Sequence, residues 1–142
     1  MRRIPDSLWL IAGLAGCGAV GALGSFVVQE RQEMRRQEEH AEALTGGSVT
    51  GGKRAIVARQ CSACHEIPGI PASRGAVGPS LAGFAARKTV AGMLRNDPAA
   101  LVRWIRYPQS VVPGNAMPNM GIGDQEARDI AAYLYTLSPR ET

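Results

Sequence analysis

The feature that most constrains this chain is the run Cys61-Ser62-Ala63-Cys64-His65. Two thiols three residues apart can lie on one side of a helical turn, and the imidazole that follows them directly can then reach a metal bound beside that turn. A Cys-x-x-Cys-His run is the attachment pattern of c-type haem, in which both thiols form thioethers with the vinyl groups and the histidine binds the iron. The run therefore predicts one covalently attached haem c, held by Cys61, Cys64 and His65.

Two other interpretations of the run are weaker. A zinc site needs a second pair of ligands, but the 142 residues contain only 3 Cys and 2 His, and the second histidine, His40, lies far from the run. A redox dithiol of the thioredoxin type needs a flanking βαβ pattern, which the sequence does not have. Aromatic residues make up only 5% of the chain, so a large apolar cofactor would also help to complete a small core.

The N-terminal segment predicts attachment to a membrane. Arg2 and Arg3 precede a charge-free run from Leu8 to Val28, which as a helix would be about 31 Å long and would span a bilayer core of about 30 Å. Because the basic pair precedes the apolar run, we expect the N-terminus in the cytoplasm and the remainder of the chain on the other side. Residues 1–28 are therefore predicted to form a membrane anchor with a single transmembrane helix.

Two alternatives to an uncleaved anchor concern the same segment. A cleavable signal peptide is disfavoured because the apolar run is longer than the 7–15 residues typical of a signal, and no small-x-small site follows Val28. The run Leu14-Ala15-Gly16-Cys17 is similar to a lipoprotein processing box and would make Cys17 a lipidated residue. Apolar sequence continues beyond Cys17, which favours the transmembrane helix. The transmembrane helix and a lipidated Cys17 would each tether the protein to the membrane.

Residues 29–51 are predicted to be a charged stalk and a Gly-rich linker. Gln29–Leu44 is rich in Gln, Glu, Arg and Ala and lacks Gly and Pro, which favours a helix that is polar on nearly all sides. Thr45–Gly52 contains four glycines in eight residues, a composition typical of flexible linkers. We therefore expect a flexible linker that lets the third region, the predicted haem domain at residues 52–142, change its orientation relative to the membrane.

Residues 52–142 contain three segments with helical signals. Lys53–Cys64 follows glycines and leads into the attachment run, and Ala99–Tyr107 begins directly after Pro98. Asp124–Leu137 has the clearest helical period, with Gly123 as its N-cap; its apolar positions are Ala127, Ile130, Ala131, Leu134 and Leu137. Three prolines, one of them in a Gly-Pro pair, make Glu66–Pro79 a loop.

Several motifs in this region, in the same order, resemble class I mono-haem cytochromes c, and the whole chain resembles a membrane-anchored bacterial member of that family. They are the attachment run, Gly78-Pro79-Ser80-Leu81, the run from Trp104 to Gln109, and Ala116-Met117-Pro118-Asn119-Met120-Gly121-Ile122. The resemblance implies an all-α, cytochrome c-like domain of about four or five short helices around one haem, after a single N-terminal transmembrane helix and a helical stalk. It also implies the bacterial inner membrane, with the haem domain on the periplasmic side.

The resemblance also implies roles for residues around the haem. The carbonyl of Pro79 would accept a hydrogen bond from the free ring nitrogen of His65, which fixes the tautomer of the ligand. Leu81 would pack on the haem ring and Trp104 at its edge. Arg74 and Arg87 are further candidates for pairing with the propionates, although arginines in a basic chain are more often simply solvated.

The second iron ligand implied by the resemblance is Met117, opposite His65. Met117 directly precedes a proline in a loop before the last helix, as the ligand does in the family, and its thioether would favour ferrous iron. Met120, three residues later, is the alternative ligand, and its other role would be to fill the core.

With both axial positions filled, the expected function is one-electron transfer and the chain is not an enzyme. The resemblance implies a membrane-anchored carrier between respiratory membrane complexes, toward a terminal oxidase. Its partners would be the lipid bilayer and redox proteins such as a cytochrome bc complex, a dehydrogenase or a haem-copper oxidase, with no small-molecule substrate. The alternatives are an integral haem subunit of a larger respiratory oxidase, reductase or dehydrogenase complex, and a labile methionine side that binds peroxide or a gas.

The charge distribution is compatible with such partners. Residues 49–142 contain 11 Lys and Arg against 6 Asp and Glu, a surplus that suits docking to an acidic protein surface and equally suits ordinary solubility. Nucleic acid is not an expected partner, because no basic patch with interleaved aromatic residues is present.

Overall fold

The computed structural model describes residues 6–71 and 73–138, and for residues 6–20 it describes the backbone alone. The chain divides into two compact units, Met1–Arg36 and Gln37–Thr142. Arg2, Arg3 and the side chain of Cys17 lie outside what is described, so the predictions on membrane orientation and on lipidation stay predictions.

The longest helix, α1, spans Asp6–Thr45. It confirms the helix predicted over Gln29–Leu44, and it also includes the apolar run from Leu8 to Val28. In the part of the chain that the structure describes, no helix is both long and apolar enough to cross a membrane. Most side chains of the apolar run lie outside that part, and the transmembrane helix stays a prediction.

The described residues of the second unit form four further helices after the end of α1. They are α2 (Val49–Ala58), α3 (Pro98–Arg106), α4 (Pro108–Val111) and α5 (Asp124–Tyr135), and two single 3₁₀ turns lie at Cys61–Ala63 and Phe84–Ala86. The predicted helices over Ala99–Tyr107 and Asp124–Leu137 are confirmed to within two residues at each end. The mainly helical fold class is therefore confirmed, with four short helices in the predicted haem domain.

Local sequence explains where two of these helices begin. The carboxylate of Asp97 accepts a hydrogen bond from the backbone N–H of Ala100, and Pro98 occupies the first turn of α3, where no N–H is needed. Gly123 is the N-cap of α5, as predicted, and has no side chain to cap it. Asp124 and Glu126 in the first turn of α5 compensate, because acidic groups are favourable near a helix N-terminus.

The core forms where α2 and α3 pack against α5. Its buried side chains are mainly aliphatic and follow the helical period along each of the three helices. The most important for the site are Ile56, Leu101, Ile105, Ala127, Ile130, Ala131 and Leu134. Five of these side chains, those of Ile56, Leu101, Ile105, Ile130 and Leu134, also line a cavity beside the core.

The glycines of Thr45–Gly52 are packed, and the prediction of a flexible linker is wrong. Ser48 is the N-cap of α2, and its backbone N–H donates a hydrogen bond of 2.8 Å to Asp129 Oδ1 on α5. A Cβ atom on Gly47 or Gly52 would collide with the backbone of α5. These glycines permit a close helix contact, and composition alone does not distinguish that use from flexibility.

A short antiparallel hairpin interrupts the helical fold, which the all-α prediction did not include. β1 (Thr89–Val90) pairs with β2 (Leu94–Arg95). The turn between them places Ala91 and Gly92 at φ values of 53° and 73°, the left-handed region that such hairpin turns need at both central residues. Ala-Gly is not the Asn-Gly or Asp-Gly pair that marks this turn in a sequence, so no local pattern predicted the hairpin.

Candidate functional site

A cavity of about 890 Å³ lies beside the core and is lined by residues of α2, α3, α5, the hairpin and the connecting loops. Its lining is predominantly apolar, and its volume lies in the range of small-molecule and cofactor pockets, about 300–1,000 Å³. Cys61, Cys64 and His65 line it, and Met117, which comes from a different segment of the chain, lines it as well. The predicted attachment run and the predicted second ligand therefore share one cavity.

The attachment run follows the end of α2. The predicted helix over Lys53–Cys64 is wrong beyond Ala58, because Gln60 has a φ of 53° and turns the chain before a 3₁₀ turn begins at Cys61. The backbone N–H of His65 donates to the carbonyl of Cys61 at 3.0 Å, which closes this turn. The tighter turn presents both thiols and the imidazole to the cavity.

The chemistry of the two cysteines argues against a redox or zinc site. Burial raises the pKa of the Cys61 thiol, whereas the cysteine of a redox Cys-x-x-Cys pair has a lowered pKa. Within residues 6–71 and 73–138, no three His, Cys, Asp or Glu side chains come together as a metal cluster would require. The zinc interpretation therefore has no support in the described residues.

A hydrogen bond fixes the imidazole of His65. Its Nδ1 lies 2.8 Å from the carbonyl oxygen of Pro79. A carbonyl oxygen only accepts, so Nδ1 must carry the proton, which leaves Nε2 with a free lone pair for a metal. The backbone N–H of Gly78 donates to the carbonyl of Cys64 at 2.8 Å, so the segment that carries the acceptor is itself bound to the attachment run. The hydrogen bond between His65 and Pro79 that the resemblance implied is therefore present.

Two glycines of the same loop allow this arrangement, and sequence reasoning missed their role. A Cβ atom on Gly78 would collide with the imidazole ring of His65, and one on Gly75 would collide with the peptide that joins Cys64 to His65. The available signal was the position of Gly78 directly before Pro79. The reason for a glycine at position 78 is visible only in the folded structure, where the imidazole ring of His65 occupies the space that a side chain would need.

The segment that carries Met117 is held by two side-chain amides, Gln109 and Asn115. Gln109 Nε2 donates to the carbonyl of Met117 at 2.7 Å, and Asn115 Oδ1 accepts from the N–H of Met117 at 2.7 Å. Sequence reasoning missed both amides, because no local pattern marks a loop amide that bonds to a backbone several residues away.

The alternative ligand, Met120, occupies a different environment. It is half-buried and packs against the hydrophobic core, although it also lines the cavity. Its carbonyl lies 3.4 Å from Nη1 of Arg59. Packing against the core is the role expected of a methionine that fills space. Both methionines line the cavity, and Met117 as the ligand stays a prediction.

The residues that line the cavity fit haem c. Two thiols can form the covalent links of haem c, and the imidazole has a metal-binding nitrogen that is free. A thioether on a separate segment of the wall is among the second ligands that haem iron takes. The apolar wall suits the porphyrin plane, and the volume is that of a cofactor pocket.

Comparison with known proteins agrees with this fit. The family model described as Cytochrome c matches residues 49–138. The chain belongs to the cytochrome c family. No solved structure matches the chain at a significant level.

Two groups of curated relatives are similar to this cytochrome c. Cytochrome c2 of Rhodoblastus acidophilus is 37% identical over 62% of this chain and 91% of its own length, and cytochrome c2 iso-2 of Magnetospirillum fulvum is 36% identical over 54% of this chain and 91% of its own length. Cytochrome c oxidase subunit 2 of Alkalihalophilus pseudofirmus is 31% identical over 97% of this chain. The chain spans only 44% of that subunit and 37% of the subunit 2 of Bacillus sp. strain PS3.

Membership of the family establishes the cofactor and the class of function. Cytochromes c bind haem c covalently, and they are electron carriers and not enzymes. The predictions of one attached haem c and of a carrier are therefore confirmed, and the cysteines required, Cys61 and Cys64, line the cavity.

The remaining predicted residues of this cytochrome differ in their relation to the cavity. Leu81 and Trp104 line it, and both are half-buried against the core. Arg87 also lines it, but its guanidinium donates to the carbonyl of Ser80 and lies over the ring of Phe84, 5.4 Å from the ring centre. Arg74 is exposed. Of the two arginine candidates, the structure therefore brings Arg87 to the cavity.

An ion pair at the cavity was not predicted. Arg59 lines the cavity next to the attachment run, and its Nε and Nη2 donate to the two carboxylate oxygens of Glu126 at 2.8 and 2.7 Å. This hydrogen bonding lowers the pKa of Glu126. The pair joins the end of α2 to the first turn of α5, two segments that are far apart in the sequence.

Proposed function

We propose that this chain is a membrane-anchored cytochrome c that carries single electrons between respiratory membrane complexes, toward a terminal oxidase, with His65 and Met117 as its iron ligands. The observation that carries the proposal is that an imidazole and a thioether, from segments 52 residues apart in the sequence, line the same apolar cavity. When bound there, haem supplies a one-electron change between ferric and ferrous iron.

The residues of the chain provide what this function needs. Cys61 and Cys64 retain the cofactor, and the carbonyl of Pro79 keeps Nε2 of His65 available. The soft thioether of Met117 favours the ferrous state and raises the reduction potential relative to a second histidine. With haem held by both His65 and Met117, the iron would have no position open to a substrate.

The ligand assignment is tested by substituting each methionine in the holoprotein. We expect Met117→Ala to abolish the Met-to-iron absorption band of the ferric protein and to lower the reduction potential, because a soft ligand is lost. Met120→Ala is the matched control and should keep the band. The reverse result would assign the iron to Met120. Rapid binding of carbon monoxide by the reduced wild type would instead support a labile methionine side and contradict the carrier.

The membrane anchor is a separate part of the proposal. It is supported by the charge-free run from Leu8 to Val28, which is helical throughout, and by the basic pair that precedes it. The full chain should stay with the membrane pellet after an alkaline carbonate wash, and protease added to intact spheroplasts should reach the haem domain. Retention that depends on Cys17, tested with Cys17→Ala, would favour lipidation, and full release into the supernatant would exclude an anchor.

A second candidate function is a fixed haem subunit of a larger respiratory oxidase complex. It is favoured by the match to a cytochrome c oxidase subunit 2, which covers 97% of this chain, whereas the cytochromes c2 cover 54% and 62% of it. Mild detergent extraction of the native membrane distinguishes the two functions. A fixed subunit should purify in constant ratio with oxidase subunits, whereas a carrier should purify alone.

A further inference from the structure

The segment from α4 to the predicted methionine ligand has few backbone hydrogen bonds of its own. After Val111 no helix or strand forms until α5 begins at Asp124. The backbone groups of such a segment need other partners. Two amide side chains provide them, those of Gln109 and Asn115, and we call this pair the amide clasp.

Gln109 uses both ends of its amide on the segment. Its Nε2 donates to the carbonyls of Asn115 and Met117 at 2.8 and 2.7 Å. Its Oε1 accepts from the backbone N–H of Gly114 at 3.1 Å. Because Gln109 lies in α4, these three bonds join the segment to a helix that is anchored in the core by the fully buried Pro108.

Asn115 supplies the second half of the clasp. Its Oδ1 accepts from the backbone N–H of Met117 at 2.7 Å. Its Nδ2 donates to the carbonyls of Pro108 and Val112 at 2.9 and 2.6 Å. Both backbone groups of Met117 are therefore held by the clasp, so its side chain keeps its place on the cavity wall.

We propose that Gln109 and Asn115 are positioning residues that present Met117 to the iron and limit its replacement by other ligands. The inference rests on the proposed function, in which Met117 is the ligand. A thioether leaves the iron when its segment opens locally, and the frequency of opening depends on the free energy of the bonds that hold the segment. Six hydrogen bonds made by two side chains, both half-buried, hold this segment and contribute to that free energy.

The experiment measures how fast imidazole replaces the methionine in the ferric holoprotein, by stopped-flow absorption of the full chain. Gln109→Leu removes three bonds of the clasp and should accelerate imidazole binding about tenfold, since each net hydrogen bond contributes roughly a factor of two at the lower end of its range and three such factors multiply. Asn115→Asp keeps the acceptor for Met117 N–H but loses both donors, and it should accelerate binding several-fold. The resting spectrum of each variant should still contain the Met-to-iron band.

Gln125→Leu is the matched control. Gln125 is exposed on α5 and its amide also donates two hydrogen bonds, to Gly46 and Asp129, but it is outside the Met117 segment. Its imidazole binding rate should stay within about twofold of wild type, a range smaller than the loss of one net hydrogen bond. If Gln109→Leu does not yield holoprotein, Gln109→Glu replaces it, because glutamate preserves the shape and keeps the acceptor for Gly114 but lacks both donors, and a several-fold acceleration is expected.

The possible results distinguish a wrong ligand assignment from a wrong role of the clasp. If Met117→Ala keeps the Met-to-iron band, the ligand assignment fails and the clasp with it. If Met117→Ala abolishes the band but the clasp variants bind imidazole at the wild-type rate, the clasp alone is overturned. Equal acceleration in Gln125→Leu would also overturn it, because the effect would then be a general loss of stability.

Discussion

The two sides of the haem cavity are held in different ways. On the histidine side, His65 follows two attachment cysteines and is fixed by backbone: the carbonyl of Pro79 bonds to its ring, and Gly78 leaves the space that the ring occupies. On the methionine side, Met117 is fixed by the side-chain amides of Gln109 and Asn115.

This difference has a consequence for which side can change. Backbone bonds and a tight glycine contact cannot be altered by a single substitution without disturbing the loop, whereas an amide can be exchanged while the fold is kept. The histidine side therefore provides permanent attachment. If Met117 is the ligand, as proposed, the methionine side is where the ligand strength, the reduction potential and the access of other ligands can be tuned.

The largest expected effect comes from filling the space beside the histidine ring. Gly78→Ala should reduce the yield of holoprotein and lower the free energy of unfolding by roughly 2–3 kcal/mol, because the new Cβ collides with the imidazole of His65. Gly114→Ala is the matched control on the methionine side: its φ is 78° but the surrounding space is open, so only backbone strain of about 1 kcal/mol is expected. Denaturant unfolding measures both. Equal losses would remove the proposed distinction between the two sides.

A smaller effect is expected where a side chain of α5 donates a hydrogen bond to the loop Glu66–Pro79, which follows His65. Tyr133 Oη donates to the carbonyl of Pro68 at 2.7 Å, and burial raises the pKa of Tyr133 so that it stays a neutral donor. Tyr133→Phe should lower the free energy of unfolding by about 1 kcal/mol and leave the rate of imidazole binding unchanged. Tyr107→Phe, on a ring that is 46% exposed, is the control and should change neither. A faster imidazole reaction in Tyr133→Phe would mean that the two sides are coupled through α5.

The smallest effect is expected at the ion pair between Arg59 and Glu126. The pair bridges the two sides, because Arg59 adjoins the attachment run and also reaches the carbonyl of Met120. At pH 7, Glu126→Gln should lower the free energy of unfolding by less than about 1 kcal/mol, since both partners are partly exposed. A double-mutant cycle with Arg59→Met isolates the pair.

The same pair gives a pH dependence with a defined sign. Hydrogen bonding to Arg59 lowers the pKa of Glu126 below its usual value of 4.5. The contribution of the ion pair to the free energy of unfolding is therefore fully present above that usual value. It is lost as the pH falls through the lower pKa that Glu126 has in the folded state. The stability difference between wild type and Glu126→Gln, measured by urea unfolding, should shrink below about pH 4. A difference that is constant from pH 7 to pH 2 would exclude this ion pair as its cause.

Much of the domain could be predicted from sequence, because its signals are local. The helical period predicted α3 and α5 and the N-cap at Gly123, and the polar composition of Gln29–Leu44 predicted the second half of α1. The errors arose where one local signal has two physical uses. Glycines in Thr45–Gly52 indicated flexibility but permit the contact of α2 with α5, and a left-handed turn at Gln60 ended α2 early without a glycine to mark it.

The sequence by itself determined the cofactor and its attachment, because the chemistry of Cys61, Cys64 and His65 depends on spacing within five residues. It also indicated Pro79 and Met117, through short motifs of the family. Only the tertiary structure decided what holds these residues: the space at Gly78, the amides of the clasp, and the ion pair at Arg59. These contacts join residues that are separated in the chain, or they depend on the path of a loop. No local pattern of residue types determines which of these groups lie within hydrogen-bonding distance of one another.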